Sequence, residues 1–114
     1  MKCISTHILD LVNGKPAAAV AVRLEKQSDS RAWRTLTSTH TGQDGRCPQL
    51  LSQDEDFSAG VYRLSFETGN YFAQLKISTL YPVVEVTFRA HEGESHFHIP
   101  LLLSPNGYTT YRGS

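Results

Sequence analysis

The 114-residue sequence is short of cysteine, of net charge and of long apolar runs, and each shortage closes off a class of protein. Its two cysteines, Cys3 and Cys47, have neither the number nor the spacing of a disulfide framework or a zinc site. Eleven Lys and Arg balance eleven Asp and Glu, so no broad basic face for nucleic acid or a membrane surface is expected. No stretch approaches the ~20 apolar residues of a membrane-spanning helix. The opening Met1-Lys2-Cys3-Ile4-Ser5-Thr6-His7 has no apolar core ahead of a small-residue cleavage site. A cytoplasmic protein with free thiols is therefore expected. Also missing are a G-x-S-x-G nucleophile elbow, a P-loop and a dinucleotide fingerprint, which leaves covalent serine catalysis and nucleotide binding without a motif. With no internal repeat, linker or low-complexity segment, residues 1–114 read as one domain.

What is present is mostly alternation. Residues 3–12 mix Ile4, Ile8, Leu9, Leu11 and Val12 with Ser5, Thr6, His7 and Asp10, and Asn13-Gly14 supplies a hairpin turn. From Ala17 to Lys26, Ala18, Val20, Val22 and Leu24 share one face of a strand. Further strands are expected over Trp33 to Thr39, Cys47 to Ser52, Gly60 to Glu67, Val83 to Ala90, His96 to Leu103 and the stretch after Gly107. Polar or turn chemistry separates them, with an acidic loop over Gln53 to Ala59. Phe72, Leu75 and Leu80 recur nearer to helical spacing, and one short helix is expected within 69–80. About eight short strands with turns every ten residues or so predict an all-β sandwich with Greek-key connections. Its edge strands favour oligomerisation.

The residues with chemistry sit late and early in the chain. In His96-Phe97-His98-Ile99-Pro100-Leu101-Leu102-Leu103, the set Phe97, Ile99, Leu101 and Leu103 makes a core face, so His96 and His98 point away from it. Three readings stay open for that pair: solvated side chains, two metal ligands completed by His7, His40 or His91, or a general acid or base. His7 shares a face with Cys3, Ser5 and Leu9, opposite Ile4, Thr6 and Ile8, and spacing alone does not say which face is buried. Arg46 follows the Asp44-Gly45 turn, where a fixed guanidinium suits a planar, multi-oxygen anion or, equally, water. The ending Tyr111-Arg112-Gly113-Ser114 has the composition of a docked terminus rather than of a solubilising tail.

Four blocks taken together are more specific than any of these residues alone. They are Ile4-Ser5-Thr6-His7-Ile8-Leu9-Asp10 with Gly14-Lys15-Pro16-Ala17; Thr41 with Asp44-Gly45-Arg46; Tyr81-Pro82-Val83-Val84-Glu85-Val86 leading into His96 to Pro105; and the terminal Tyr111-Arg112-Gly113-Ser114. On these residues the chain resembles the 5-hydroxyisourate hydrolase family, also called transthyretin-like or transthyretin-related proteins. The resemblance implies a transthyretin fold of two four-stranded sheets and one short helix. It also implies a homotetramer with its sites in a channel between dimers. The implied reaction is hydrolysis of 5-hydroxyisourate to 2-oxo-4-hydroxy-4-carboxy-5-ureidoimidazoline in urate degradation, without metal or cofactor. Carried over by position, His7, Arg46, His98 and Ser114 are the implied catalytic residues. His7, Arg46, Tyr111, Arg112 and Gly113 are the implied substrate contacts. The alternative is a non-enzymatic, transthyretin-like carrier of a small ligand, a role that requires neither the histidines nor this ending.

Overall fold

The computed structural model describes residues 2–52 and 57–114, so residues 53–56 of the expected acidic loop lie outside the described residues. Nine strands and one helix follow in order: β1 (Cys3–Asp10), β2 (Lys15–Pro16), β3 (Ala21–Gln27), β4 (Trp33–His40), β5 (Arg46–Cys47), β6 (Gly60–Phe66), α1 (Thr68–Gln74), β7 (Val84–Ala90), β8 (His96–Ser104) and β9 (Gly107–Thr110), counted among the described residues. They form the two sheets of a β-sandwich. One has the order β2-β1-β8-β9, with β5 also paired to β1; the other has the order β4-β3-β6-β7. β1 lies parallel to β8 over eight residue pairs, from Cys3 opposite His96 to Asp10 opposite Leu103. That long-range pairing places the first strand beside the penultimate one.

Alternation in the sequence translates directly into the core. Phe97, Ile99, Leu101 and Leu103 of β8 are buried, as are Val22 and Leu24 of β3 and Tyr62, Leu64 and Phe66 of β6. Each such side chain contributes roughly 1.5–3 kcal/mol when fully withdrawn from water. On β1 the inward set is Ile4, Thr6, Ile8 and Asp10, two of them polar. Both polar members are satisfied. The Thr6 hydroxyl donates to the Ile99 carbonyl at 2.6 Å. The Asp10 carboxylate accepts from the Val12 amide at 2.8 Å and from the Tyr71 hydroxyl of α1 at 2.6 Å. These bonds settle the face that spacing left open, because Cys3, Ser5, His7 and Leu9 must then point outward from the sandwich.

Three expected elements differ in extent. The strand expected from Ala17 begins at Ala21, because Ala19 takes a left-handed φ of 59°. There the Thr41 hydroxyl donates to the Ala17 carbonyl at 2.7 Å and accepts from the Val20 amide at 3.0 Å. The strand expected over Cys47 to Ser52 shrinks to Arg46–Cys47. Pro48 has no amide to offer a ladder, and the Leu51 amide turns to the Gln49 side chain at 3.0 Å. The helix covers Thr68–Gln74 only, since Lys76 turns left-handed at φ 60° and its amide bonds back to Ala73 at 3.0 Å. Phe72 is buried, but Leu75 and Leu80 are exposed and mark no helical face.

Candidate functional site

The outward face of β1 and β8 collects the polar side chains that the core excludes. Parallel register sets Ser5 opposite His98 and His7 opposite Pro100, so His7 and His98 are diagonal neighbours on one surface. On the other edge of β1, β5 sets Arg46 opposite His7. The Asp44-Gly45 turn makes that approach possible. Gly45 has φ 75°, and a Cβ there would stand 2.5 Å from the Ile8 carbonyl oxygen, so backbone meets backbone with no room for a side chain. The Ile8 amide donates to the Gly45 carbonyl at 2.8 Å. The Asp44 carboxylate accepts from the Arg46 amide at 3.0 Å, closing the turn just before the guanidinium departs.

The C-terminal segment returns to the same place. Gly113 forms an isolated bridge with His98, donating its amide to the His98 carbonyl at 2.7 Å. A Cβ at Gly113 would lie 2.6 Å from Cδ2 of the imidazole, so the glycine lets the chain lie flat along the ring. Arg112 holds this return in place. Its guanidinium donates to the Glu94 carboxylate at 2.8 Å and to the His96 carbonyl at 3.1 Å, and sits 4.6 Å from the centre of the Phe97 ring. The Ser5 hydroxyl and Nδ1 of His98 are 2.8 Å apart, and either can be the donor.

An open hollow of about 360 Å³ results, lined by Cys3, Ser5, Thr6, Arg46, Pro48, His96, His98 and Ser114. Of the expected site residues, Arg46, His98 and Ser114 line it. His7 lies on the same face beside Arg46 but is not a lining residue of the single protomer. Gly113 backs the His98 ring. Tyr111 and Arg112 lie elsewhere, bordering a second hollow of about 210 Å³ with Val86, Phe88 and Phe97. Sequence reasoning missed Ser5, although its shared period-two face with His7 was a signal for it, and weighed His96 without assigning it to the site.

Burial pushes the His98 pKa below the ordinary histidine value of 6.5, and the positive charges of Arg46, His7 and His96 lower it further. His98 is therefore a neutral imidazole at neutral pH, able to accept a proton. Arg46 brings a permanent guanidinium charge to the lining of the hollow, which suits an electron-rich group on a ligand. Among the described residues no group of three or more His, Cys, Asp or Glu side chains can hold a metal ion. Those residues also include no helix long and apolar enough to cross a membrane.

Comparison with known proteins agrees with this architecture. A family model described as the HIUase/Transthyretin family matches residues 4–113. The 5-hydroxyisourate hydrolase of Salmonella dublin is 45% identical over 111 residues, covering 97% of this chain and 80% of that protein. The solved structure of Klebsiella pneumoniae 5-hydroxyisourate hydrolase superposes with a TM-score of 0.86 at 37% identity, covering the whole of both chains. Transthyretin from Sparus aurata superposes with a TM-score of 0.91 at 34% identity, over 99% of this chain and 97% of that one. Shape alone therefore does not separate the hydrolases from transthyretin, but full-length similarity on both sides fixes the wider group: the chain belongs to the HIUase/transthyretin family.

Proposed function

We propose that the protein is a hydrolase that opens the ring of 5-hydroxyisourate with water, yielding 2-oxo-4-hydroxy-4-carboxy-5-ureidoimidazoline in urate degradation. The observation that carries this reading is His98 lining one hollow together with Arg46. Opening a cyclic acyl group needs a base for the water, an acid for the departing nitrogen and donors for the developing oxyanion. His7 and His98 divide the two proton transfers, and two histidines in unlike surroundings can do so at one pH. Arg46 binds the electron-rich ring and steadies negative charge on the attacked carbonyl. Ser114, with the backbone at Gly113, lies within reach of the same ligand and orients it. No metal or cofactor is assigned a step.

In this reading Arg112 fixes the tail, and the exposed Tyr111 is free to meet a second copy, which supports a site completed in a homotetramer, at the interface between dimers. The cytoplasmic placement belongs to the same proposal, with the two free, buried thiols in its favour. The 34%-identical transthyretin supports a second reading, a non-enzymatic carrier using the same hollow. The two separate in one assay. 5-Hydroxyisourate generated freshly by urate oxidase is followed by its ultraviolet absorbance with and without the protein. Acceleration that the His98→Asn variant loses, with its fold intact, is the expected result. Equal decay in all three samples would leave only the carrier.

A further inference from the structure

We propose that Ser5 is a positioning residue for His98, its hydroxyl accepting the Nδ1 proton so that Nε2 presents a lone pair to the hollow. The inference rests on the hydrolase reading and deepens it by choosing the base that reading leaves open between two histidines.

Four features of the geometry carry it. First, the Ser5 oxygen and His98 Nδ1 are 2.8 Å apart, a full hydrogen bond, and Ser5 is 9% exposed, so little water competes for the contact. Second, the contact is set by the sheet. Ser5 and His98 are direct partners in the parallel register of β1 and β8, which fixes both backbones before either side chain is placed. Third, the opposite edge of the ring is confined by the tail, with Gly113 packed so closely against Cδ2 that a single methyl would collide. The imidazole is thus held on both edges, and Nε2 has no protein hydrogen-bond partner among the described residues. Fourth, Arg46 lines the same hollow. A permanent cation there favours an unprotonated nitrogen facing it over an N–H dipole pointing at it.

In a neutral imidazole one nitrogen carries the proton and the other the lone pair. With the proton on Nδ1 and given to Ser5, the lone pair at Nε2 takes a proton from water as the water oxygen bonds to the acyl carbon. The imidazolium so formed then gives that proton up to solvent, while His7 supplies the proton that the departing nitrogen takes. Ser5 touches neither water nor substrate in this scheme. It acts through the ring it orients, as the orienting partner of a catalytic histidine does in other hydrolytic sites.

The test pairs a substrate-free readout with kinetics. Nitrogen-15 NMR of the His98 ring in the full-length protein is expected to show a protonated Nδ1 and an unprotonated Nε2. A wild-type ring protonated on Nε2 overturns the proposal, whatever any variant does. Ser5→Ala is expected to shift the ring toward the Nε2-protonated tautomer and to lower kcat about tenfold with KM nearly unchanged, while Ser5→Thr, which keeps the hydroxyl, restores both. Ser5→Ala with wild-type kcat also overturns it. Should the wild-type protein fail to accelerate 5-hydroxyisourate decay, the hydrolase reading falls while the tautomer measurement still stands, so the two failures are distinct.

Discussion

His98 owes its depressed pKa first to burial and then to neighbouring positive charge, and these causes can be separated by experiment. Replacing Arg46 by Gln removes one cation and leaves burial in place, so the His98 pKa should rise part of the way toward 6.5. Following the ring Cε1 proton by NMR against pH checks this; a pKa unmoved by Arg46→Gln contradicts the electrostatic account. The sign for activity follows. A base whose pKa lies below 6.5 stays neutral on mild acidification, so the acidic limb of kcat/KM should fall below pH 6.5 and move upward in Arg46→Gln. For stability, the folded-state pKa of His98 lies below its unfolded value. The neutral form therefore supports the fold fully above the unfolded pKa of about 6.5, and that support is lost as pH falls through the depressed value. At this scale much was readable. The outward face of His98 and the place of Arg46 after its turn were visible in the sequence. The link of Ser5 to His98 was not, because its partner is 93 residues away and only strand register reveals it.

Among the elements, the tail from Tyr111 to Ser114 is held by few bonds and is therefore sensitive to single changes. Gly113→Ala places a methyl 2.6 Å from the His98 ring, and either the ring or the tail must give way. Turnover is expected to fall more than about tenfold, with a thermal midpoint within roughly 4–8 °C of wild type, because the bridge lies outside the nine strands and the loss amounts to about one hydrogen bond. Arg112→Ala frees the tail from Glu94, from the His96 carbonyl and from Phe97 at once. Faster deuterium exchange at the Gly113 amide, read by NMR, is the expected sign; unchanged exchange means that the bridge to His98 suffices by itself. Legibility varied among the elements for physical reasons. β8 was plain because every inward residue is apolar. β1 was not, because Thr6 and Asp10 are polar and buried yet fully bonded, so polarity ran against burial. The helix was overdrawn because Leu75 and Leu80 are apolar without being packed.

For the whole molecule, the two sheets end on β7 and β9, and side chains from both edges border one hollow, among them Val86, Phe88 and Thr110. Backbone donors and acceptors along such edges are satisfied by a second copy more readily than by a side chain. Tyr108 and Tyr111 are exposed beside them. Sedimentation equilibrium is expected to give four times the 12.7 kDa protomer mass; a monomer with full activity would show that His98, Arg46 and the tail suffice within one chain. The sandwich itself was legible from strand spacing, whereas the pairing order was not, since no local pattern announces that strand one will lie beside strand eight.

That pairing also has a consequence in time. Cys3 to Asp10 cannot take their place in the sheet until His96 to Ser104 are available, and closing so long a loop is slow compared with forming a hairpin. A growing chain thus carries Ser5 without its His98 partner until β8 has been made, although His7 can already pair with Arg46 of β5. The hollow therefore takes shape only when β8 joins β1, because that strand brings His96 and His98 to the residues that β1 and β5 already hold.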